Sequence, residues 1–220
     1  MKVLVFDVET TGLPIGKNPS IFETDKWPYI VQLSYIMYDT TVNEIDIVYN
    51  EILKLPNYVE ISDESIKLHK ITEKINYEIG VDRRSSLQTF NLILEQSDIV
   101  VGHNISFDKR MIMVECNRNN VYHRFNKKGV KKTEYCTMKN SVDICKIEKT
   151  TQNGKTYFKY PTLSELYYYL FEEVPVNAHN SFVDVLLCLR CYVKLNNESD
   201  IMITNELFNE LMKCNSVISI

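Results

Sequence analysis

The chain has 220 residues, 45% of them hydrophobic and 25% charged, with a formal charge of −4. These are ordinary values for a globular chain with one sizeable core, and they exclude a disordered, fibrous or repetitive one. The longest stretch free of charge, Trp27–Tyr38, is twelve residues, short of the roughly 18–20 needed to cross a bilayer; the Val3–Phe6 run is too short for a signal segment, so a soluble, cytoplasmic protein with no membrane association is expected.

The chain opens on Val3-Leu4-Val5-Phe6, a buried-looking strand that runs through Asp7-Val8-Glu9 and stops at Thr10-Thr11-Gly12. Residues two apart in a strand share a face, so Asp7 and Glu9 aim their carboxylates at one spot. Such a pair either ends a strand in solvent or repels unless a cation lies between its members, and a hard divalent ion suits it. Leu13 to Lys26, with Pro14, Gly16 and Pro19, reads as a loop. Tyr29 to Asp39 and Ile45 to Leu55 read as second and third strands, and the short Thr40–Asn43 link makes the three an antiparallel meander.

Helical patterns follow at Asp63–His69 and Ser85–Gln96. Asp98–Gly102 is a strand opening into His103-Asn104-Ile105-Ser106-Phe107-Asp108, and a helix continues to about Arg118, capped by Asn104 or Ser106. Asp108 thus falls near the first turn, where backbone N–H groups favour its ionised form. Between Arg118 and Lys139 stand seven basic residues and a single acid. This is either a solvated loop or a phosphate-facing patch. Tyr135–Met138 suggests a short strand, and Asn153-Gly154 marks a hairpin turn within Lys146–Tyr160. A helix over Pro161–Phe171 puts the run Tyr167–Tyr169 at a core edge. Phe182, Val185, Leu186, Leu189, Tyr192 and Val193 form one buried helix face. His179 and Asp184 cannot share a helical face, but they converge if His179 lies in the loop before a helix capped by Asn180 or Ser181. Asn205–Lys213 suggests a last short helix with a packing role. The six cysteines lack paired ligand spacing and read as packed free thiols.

Taken in order, Asp7-x-Glu9-Thr10-Thr11-Gly12, Gly102-His103-Asn104-x-x-Phe107-Asp108 and His179-x4-Asp184 resemble the signature of the DEDDh (DnaQ-like) 3′→5′ exonuclease family. Trp27–Leu33, Leu68-His69-Lys70-Ile71-Thr72, Cys136-Thr137-Met138 and Leu163-Ser164-Glu165-Leu166 also resemble segments of that family. The chain departs from it at Ser181 and Val185, where the family usually has alanines that permit close packing under the site.

The resemblance implies an α/β, RNase H-like exonuclease fold, a mixed five-stranded sheet of order 3-2-1-4-5 flanked by helices. It makes residues 1–220 one such domain, with a basic loop at about 118–139 and a hairpin insertion at about 146–160. It implies that Asp7, Glu9, Asp108 and Asp184 hold two Mg²⁺ or Mn²⁺ ions, with His179 accepting the proton of the attacking water. Thr10, Leu13, Asn104 and Phe107 would line the 3′-terminal nucleotide. The implied reaction releases nucleoside 5′-monophosphates from single-stranded or frayed DNA ends. The same site could serve RNA 3′ ends, since that choice rests on room for a 2′-hydroxyl, and a non-catalytic binding or polymerase-associated module is the reading from another class. Proofreading would need a separate polymerase chain. If Lys127, Lys128, Lys131 and Lys132 contact phosphates, neutralising them together should weaken binding and flatten its salt dependence.

Overall fold

The computed structural model describes residues 1–127 and 129–215. Strands β1 (Lys2–Thr10), β2 (Ile30–Asp39) and β3 (Glu44–Ile52) form the expected antiparallel meander. Val3, Val5, Ile36 and Tyr38 pack on one face of this sheet, and Leu4, Phe6, Leu33, Tyr35 and Met37 on the other. Both faces are covered, so β1 and β2 read as continuous apolar runs without polar alternation. The edge strand β3 instead alternates between half-buried and exposed residues.

Helices α1 (Asp63–His69), α2 (Glu73–Ile79) and α3 (Arg83–Gln96) follow, and at each start a side chain, Ser62, Thr72 or Asp82, accepts a backbone N–H of the first turn. Strand β4 (Ile99–Gly102) then pairs parallel to β1. Helix α4 (Ile105–Arg118) and a small hairpin, β5 (Asn126–Lys127) and β6 (Val130–Lys131), lead to β7 (Thr133–Cys136), which pairs parallel to β4. The sheet order is β3-β2-β1-β4-β7, the 3-2-1-4-5 arrangement expected, with β7 as its fifth strand.

Short helices α5 (Thr137–Asn140) and α6 (Val142–Cys145) precede the hairpin β8 (Glu148–Thr150) and β9 (Thr156–Phe158), which turns at Asn153-Gly154 as expected. Helices α7 (Leu163–Phe171), α8 (Ser181–Asn197), α9 (Ile201–Thr204) and α10 (Glu206–Cys214) complete the described chain. Thr162 and Glu165 close a reciprocal capping box on α7. Helix α8 covers the Val3/Val5 face, whereas α3 and α4 cover the Leu4/Phe6 face.

Several local expectations need correction. Tyr135–Met138 is strand only to Cys136, because Thr137 begins α5 with its side chain buried. The segment 118–139 is mostly structured, holding the β5–β6 hairpin and β7. Helices α2 and α9 are additions, seven and four residues long. All six cysteines are free thiols as expected, but Cys214 is exposed rather than packed. Tyr167 is fully buried, while Tyr168 and Tyr169 are exposed. No helix among the described residues is long and apolar enough to cross a membrane.

Candidate active site

The alternation that buries Val3 and Val5 against α8 carries Asp7 and Glu9 to the same face at the end of β1. There they meet the first turn of α8. Asn180, the residue before that helix, accepts the N–H groups of Phe182 and Val183 and so fixes where α8 starts. Asp184 falls in its first turn. Ligand oxygens of Asp7, Glu9 and Asp184 lie within 4.8 Å of one another.

Asp108 arrives from the opposite face. Gly102 ends β4 so close to α4 that a Cβ there would lie 3.1 Å from the Ile105 Cβ. A side chain at that position would require Ile105 to give by a few tenths of an ångström. Asn104 then adopts a left-handed conformation, φ 68°, which asparagine tolerates better than most residues. The helix begins, and the Val8 N–H faces the buried Asp108 carboxylate beside the other acids. Two helix starts from opposite faces therefore converge on the end of one strand.

Electrostatically this is a strained arrangement. Burial first, and then the Coulomb field of Asp108, Asp184 and Glu9, raises the pKa of Asp7. Burial and the fields of Asp184 and Asp108 do the same to Glu9. Burial likewise dominates the upward shifts of Asp108 and Asp184, partly opposed by Asp108's own backbone N–H and that of Val8 in the first and by that of His179 in the second. Among the described residues no lysine or arginine pairs with any of the four. Clustered hard oxygen donors with no cation of the chain's own are a donor set that fits divalent metal ions.

His179 stands in the loop before α8, exposed and at φ 73°. It lies outside the helix, as convergence with Asp184 would require, and its backbone N–H points at the Asp184 carboxylate. Against the first turns of α4, the helix that carries Asp108, opens a cleft of about 370 Å³ with Leu13, Pro14 and Trp27 on one wall and Asn104, Phe107 and Arg110 on the other. Leu13 is 82% exposed, an apolar side chain held out at the cleft mouth. Thr10 is buried below, its hydroxyl donating to the Gly12 carbonyl and shaping the turn.

The cleft wall is stapled by α4. Arg110 donates to the Pro19 carbonyl and Asn18, and its guanidinium lies 4.6 Å over the Trp27 ring. Asn117 donates to Ile21, and Arg118 to Thr24, Trp27 and Pro28. Sequence reasoning gave Arg110 no role, although its i+3 spacing from Phe107 places both on one helix face. It also missed a polar clasp under α8, in which Gln32 and Ser34 of β2 reach Asn180 and Ser181. His69 had only its place in a motif. Its Nδ1 accepts the Ile71 N–H, which puts the ring proton on Nε2, facing the Thr10 carbonyl without closing a full hydrogen bond.

The His103 ring bridges Thr137 and the Pro161 carbonyl at 3.0 Å each. The basic hairpin β5–β6 precedes β7, which runs parallel to β4 and so to β1, placing Lys131 and Lys132 at the end of the sheet away from the acids. Lys132 donates to the Ser97 carbonyl there. Lys128 lies outside the described residues, and only the backbone of Lys127 is described.

A mixed sheet of this order, with acids gathered at the end of its central strand, is the RNase H-like fold of an exonuclease. The family model of the RNase T exonucleases matches residues 4–192, and the chain belongs to that exonuclease family. Against curated protein sequences the chain finds no match. Among solved structures it is similar to Exonuclease I of Methylocaldum szegediense, with TM-score 0.65 and 17% identity over 92% of this chain and 42% of that one. It is also similar to E. coli Exonuclease I in complex with a dA16 oligonucleotide, TM-score 0.66 and 15% identity over 96% of this chain and 43% of that one. A zinc-bound E. coli Exonuclease I complex with single-stranded DNA gives the same TM-score of 0.66, identity of 15%, and shares of 96% and 43%. The chain thus spans less than half the length of these proteins.

Proposed function

We propose that this protein is a metal-dependent exonuclease that removes nucleotides from the 3′ end of single-stranded or frayed DNA, releasing nucleoside 5′-monophosphates. The observation that carries the reading is the clustering of Asp7, Glu9 and Asp184, with Asp108 close enough to act on Asp7 and Glu9, and no pairing lysine or arginine among the described residues, together with an open cleft lined by both apolar and polar side chains. The four acids would hold two Mg²⁺ or Mn²⁺ ions. Bound there, such ions supply charge for the attacking and leaving oxygens and acidify a water molecule.

The chain's own residues do the rest. His179, exposed at the rim, takes the proton of the attacking water. Leu13 and Phe107 hold the terminal base between apolar surfaces, which every base offers equally, so trimming proceeds without regard to sequence. Asn104 at the start of α4 stands where the sugar-phosphate of that nucleotide would pass. Two of the similar structures hold DNA, which supports a DNA substrate here. Proofreading would require a separate polymerase chain, and the likeness to Exonuclease I lends that role no support.

The test uses 5′-labelled single-stranded DNA and matched RNA with Mg²⁺, Mn²⁺ or EDTA, beside Asp7→Ala. The expected result is a ladder shortening from the 3′ end of DNA, abolished by EDTA and by the substitution. A ladder on RNA alone would keep the chemistry and change the substrate. Intact strands under every metal would overturn the catalytic reading in favour of a binding module.

A further inference from the structure

The hairpin β8–β9 buries none of its strand residues: all six are exposed. It nevertheless carries aromatic side chains, with Tyr157 44% and Tyr160 58% exposed. Its register places Lys149 opposite Tyr157, and alternation puts Lys155 and Lys159 on the same side as Tyr157. The hairpin's acid, Glu148, lies opposite Phe158 and so faces the other way. Lys159 is held by Glu165. Lys149 and Lys155 pair with no acid among the described residues. One side of the hairpin is therefore cationic and aromatic and takes no part in the core.

Its root is fixed beside the active site. The Pro161 carbonyl can only accept, so the His103 ring donates to it from Nε2 and accepts the Thr137 hydroxyl at Nδ1, 3.0 Å each. Burial holds that ring neutral, its pKa lowered to about 4. His103 immediately precedes Asn104 on the cleft rim. From Pro161 back to Tyr157 the chain spans at most about 14 Å. A strand whose 3′ end sits among the acids has its next nucleotides within reach of this face.

We propose that the Lys149, Lys155 and Tyr157 face of the hairpin is a strand-binding arm for single-stranded DNA leaving the active site. This rests on the exonuclease reading above. The two lysines pair with backbone phosphates, and Tyr157 stacks on a base. Both contacts are indifferent to sequence, as trimming requires. The arm adds affinity for long strands and nothing for a substrate too short to leave the cleft.

The test compares the wild type with the Lys149→Gln, Lys155→Gln, Tyr157→Ala triple variant. Binding of a long labelled oligothymidylate is read by fluorescence anisotropy in EDTA, so no turnover is needed, and thymidine dinucleotide cleavage is followed separately with Mn²⁺. The arm predicts affinity for the long strand lower by about tenfold or more. It also predicts a log–log salt slope shallower by about 1.4 for two lost phosphate contacts. Dinucleotide kcat/KM should be unchanged, which also shows that the variant is folded. Unchanged long-strand binding, or an equal loss on both substrates, overturns the proposal. A loss on matched RNA with none on DNA overturns it in favour of an RNA arm. Failure of the wild type to cleave the dinucleotide would count against the exonuclease reading alone, because anisotropy still decides the arm.

Discussion

Burial and mutual repulsion push Asp7, Glu9, Asp108 and Asp184 toward their neutral forms, and this makes the fold's stability depend on pH in a particular direction. With raised pKa values the native state holds protons that the unfolded chain has released. Stability is therefore fully present below the ordinary carboxylate range near pH 4 and is lost as pH climbs through the raised values. The metal-free melting temperature is expected to fall between about pH 5 and pH 8. Mn²⁺ should restore it at the upper end and do little at the lower, because metal binding competes with protons. Asp184→Asn removes one repelling charge. It should raise the metal-free melting temperature at pH 8, by about 2–4 °C for each kcal/mol relieved, while activity is lost. Scanning fluorimetry in EDTA and in Mn²⁺ reads both effects, and a flat metal-free profile would mean that something within the chain already neutralises the acids.

At the scale of elements, the site depends on where α8 begins. Gln32 and Ser34 stand opposite Glu9 and Asp7 in the β1–β2 register. From there Gln32 donates to Asn50 at 2.8 Å and Asn180 at 3.4 Å and accepts the Ser181 N–H at 3.3 Å. Ser34 donates to Asn50 at 2.9 Å and meets the Ser181 hydroxyl at 2.6 Å. Ser181, a departure from the family's alanine, thus fills its place by joining a buried polar network. Gln32→Glu would set an acceptor against Asn180, which cannot turn its amide without giving up the two N–H groups it caps. A buried unmatched acceptor costs about 1–3 kcal/mol. The variant is expected to lose kcat by about tenfold while KM stays near its original value; steady-state kinetics on a dinucleotide would check it, with kcat referred to the folded fraction read by circular dichroism, because partial unfolding alone would give the same split.

The same helix shows what was legible. Apolar spacing over Phe182–Val193 is strong enough to read, and so are β1, β2 and the helix within Pro161–Phe171. The sequence left open whether His179 lies in the loop or on the helix with Asp184, since that rests on where the backbone turns into α8. It was blind to the Gln32 clasp and the Arg110 staple, because each joins residues distant in the chain. Short elements such as α2 and α9 carry too few turns for a periodic pattern to show.

Across the whole molecule, the parallel strands β1, β4 and β7 give the sheet a direction, and open α/β sheets place their sites at the carboxyl end. Two basic segments sit at different distances from that end. Thr133 stands level with Val3 across β4, four residues or about 13 Å short of Asp7 along the sheet. The β5–β6 hairpin precedes Thr133 and so lies farther still, whereas the root of β8–β9 adjoins His103 at the carboxyl end of β4. Charge composition left the first segment open as either a solvated loop or a phosphate contact, and the direction of the sheet favours the second segment as the contact. Neutralising Lys127, Lys128, Lys131 and Lys132 together is therefore expected to leave the salt slope of oligothymidylate binding unchanged. The melting temperature should drop slightly, because Lys132 loses its bond to the Ser97 carbonyl, a contact of about 1 kcal/mol. Salt titrations of this variant beside the hairpin variant would separate the two segments. A flattened slope in the first would mean that the strand runs back along the sheet to its amino end.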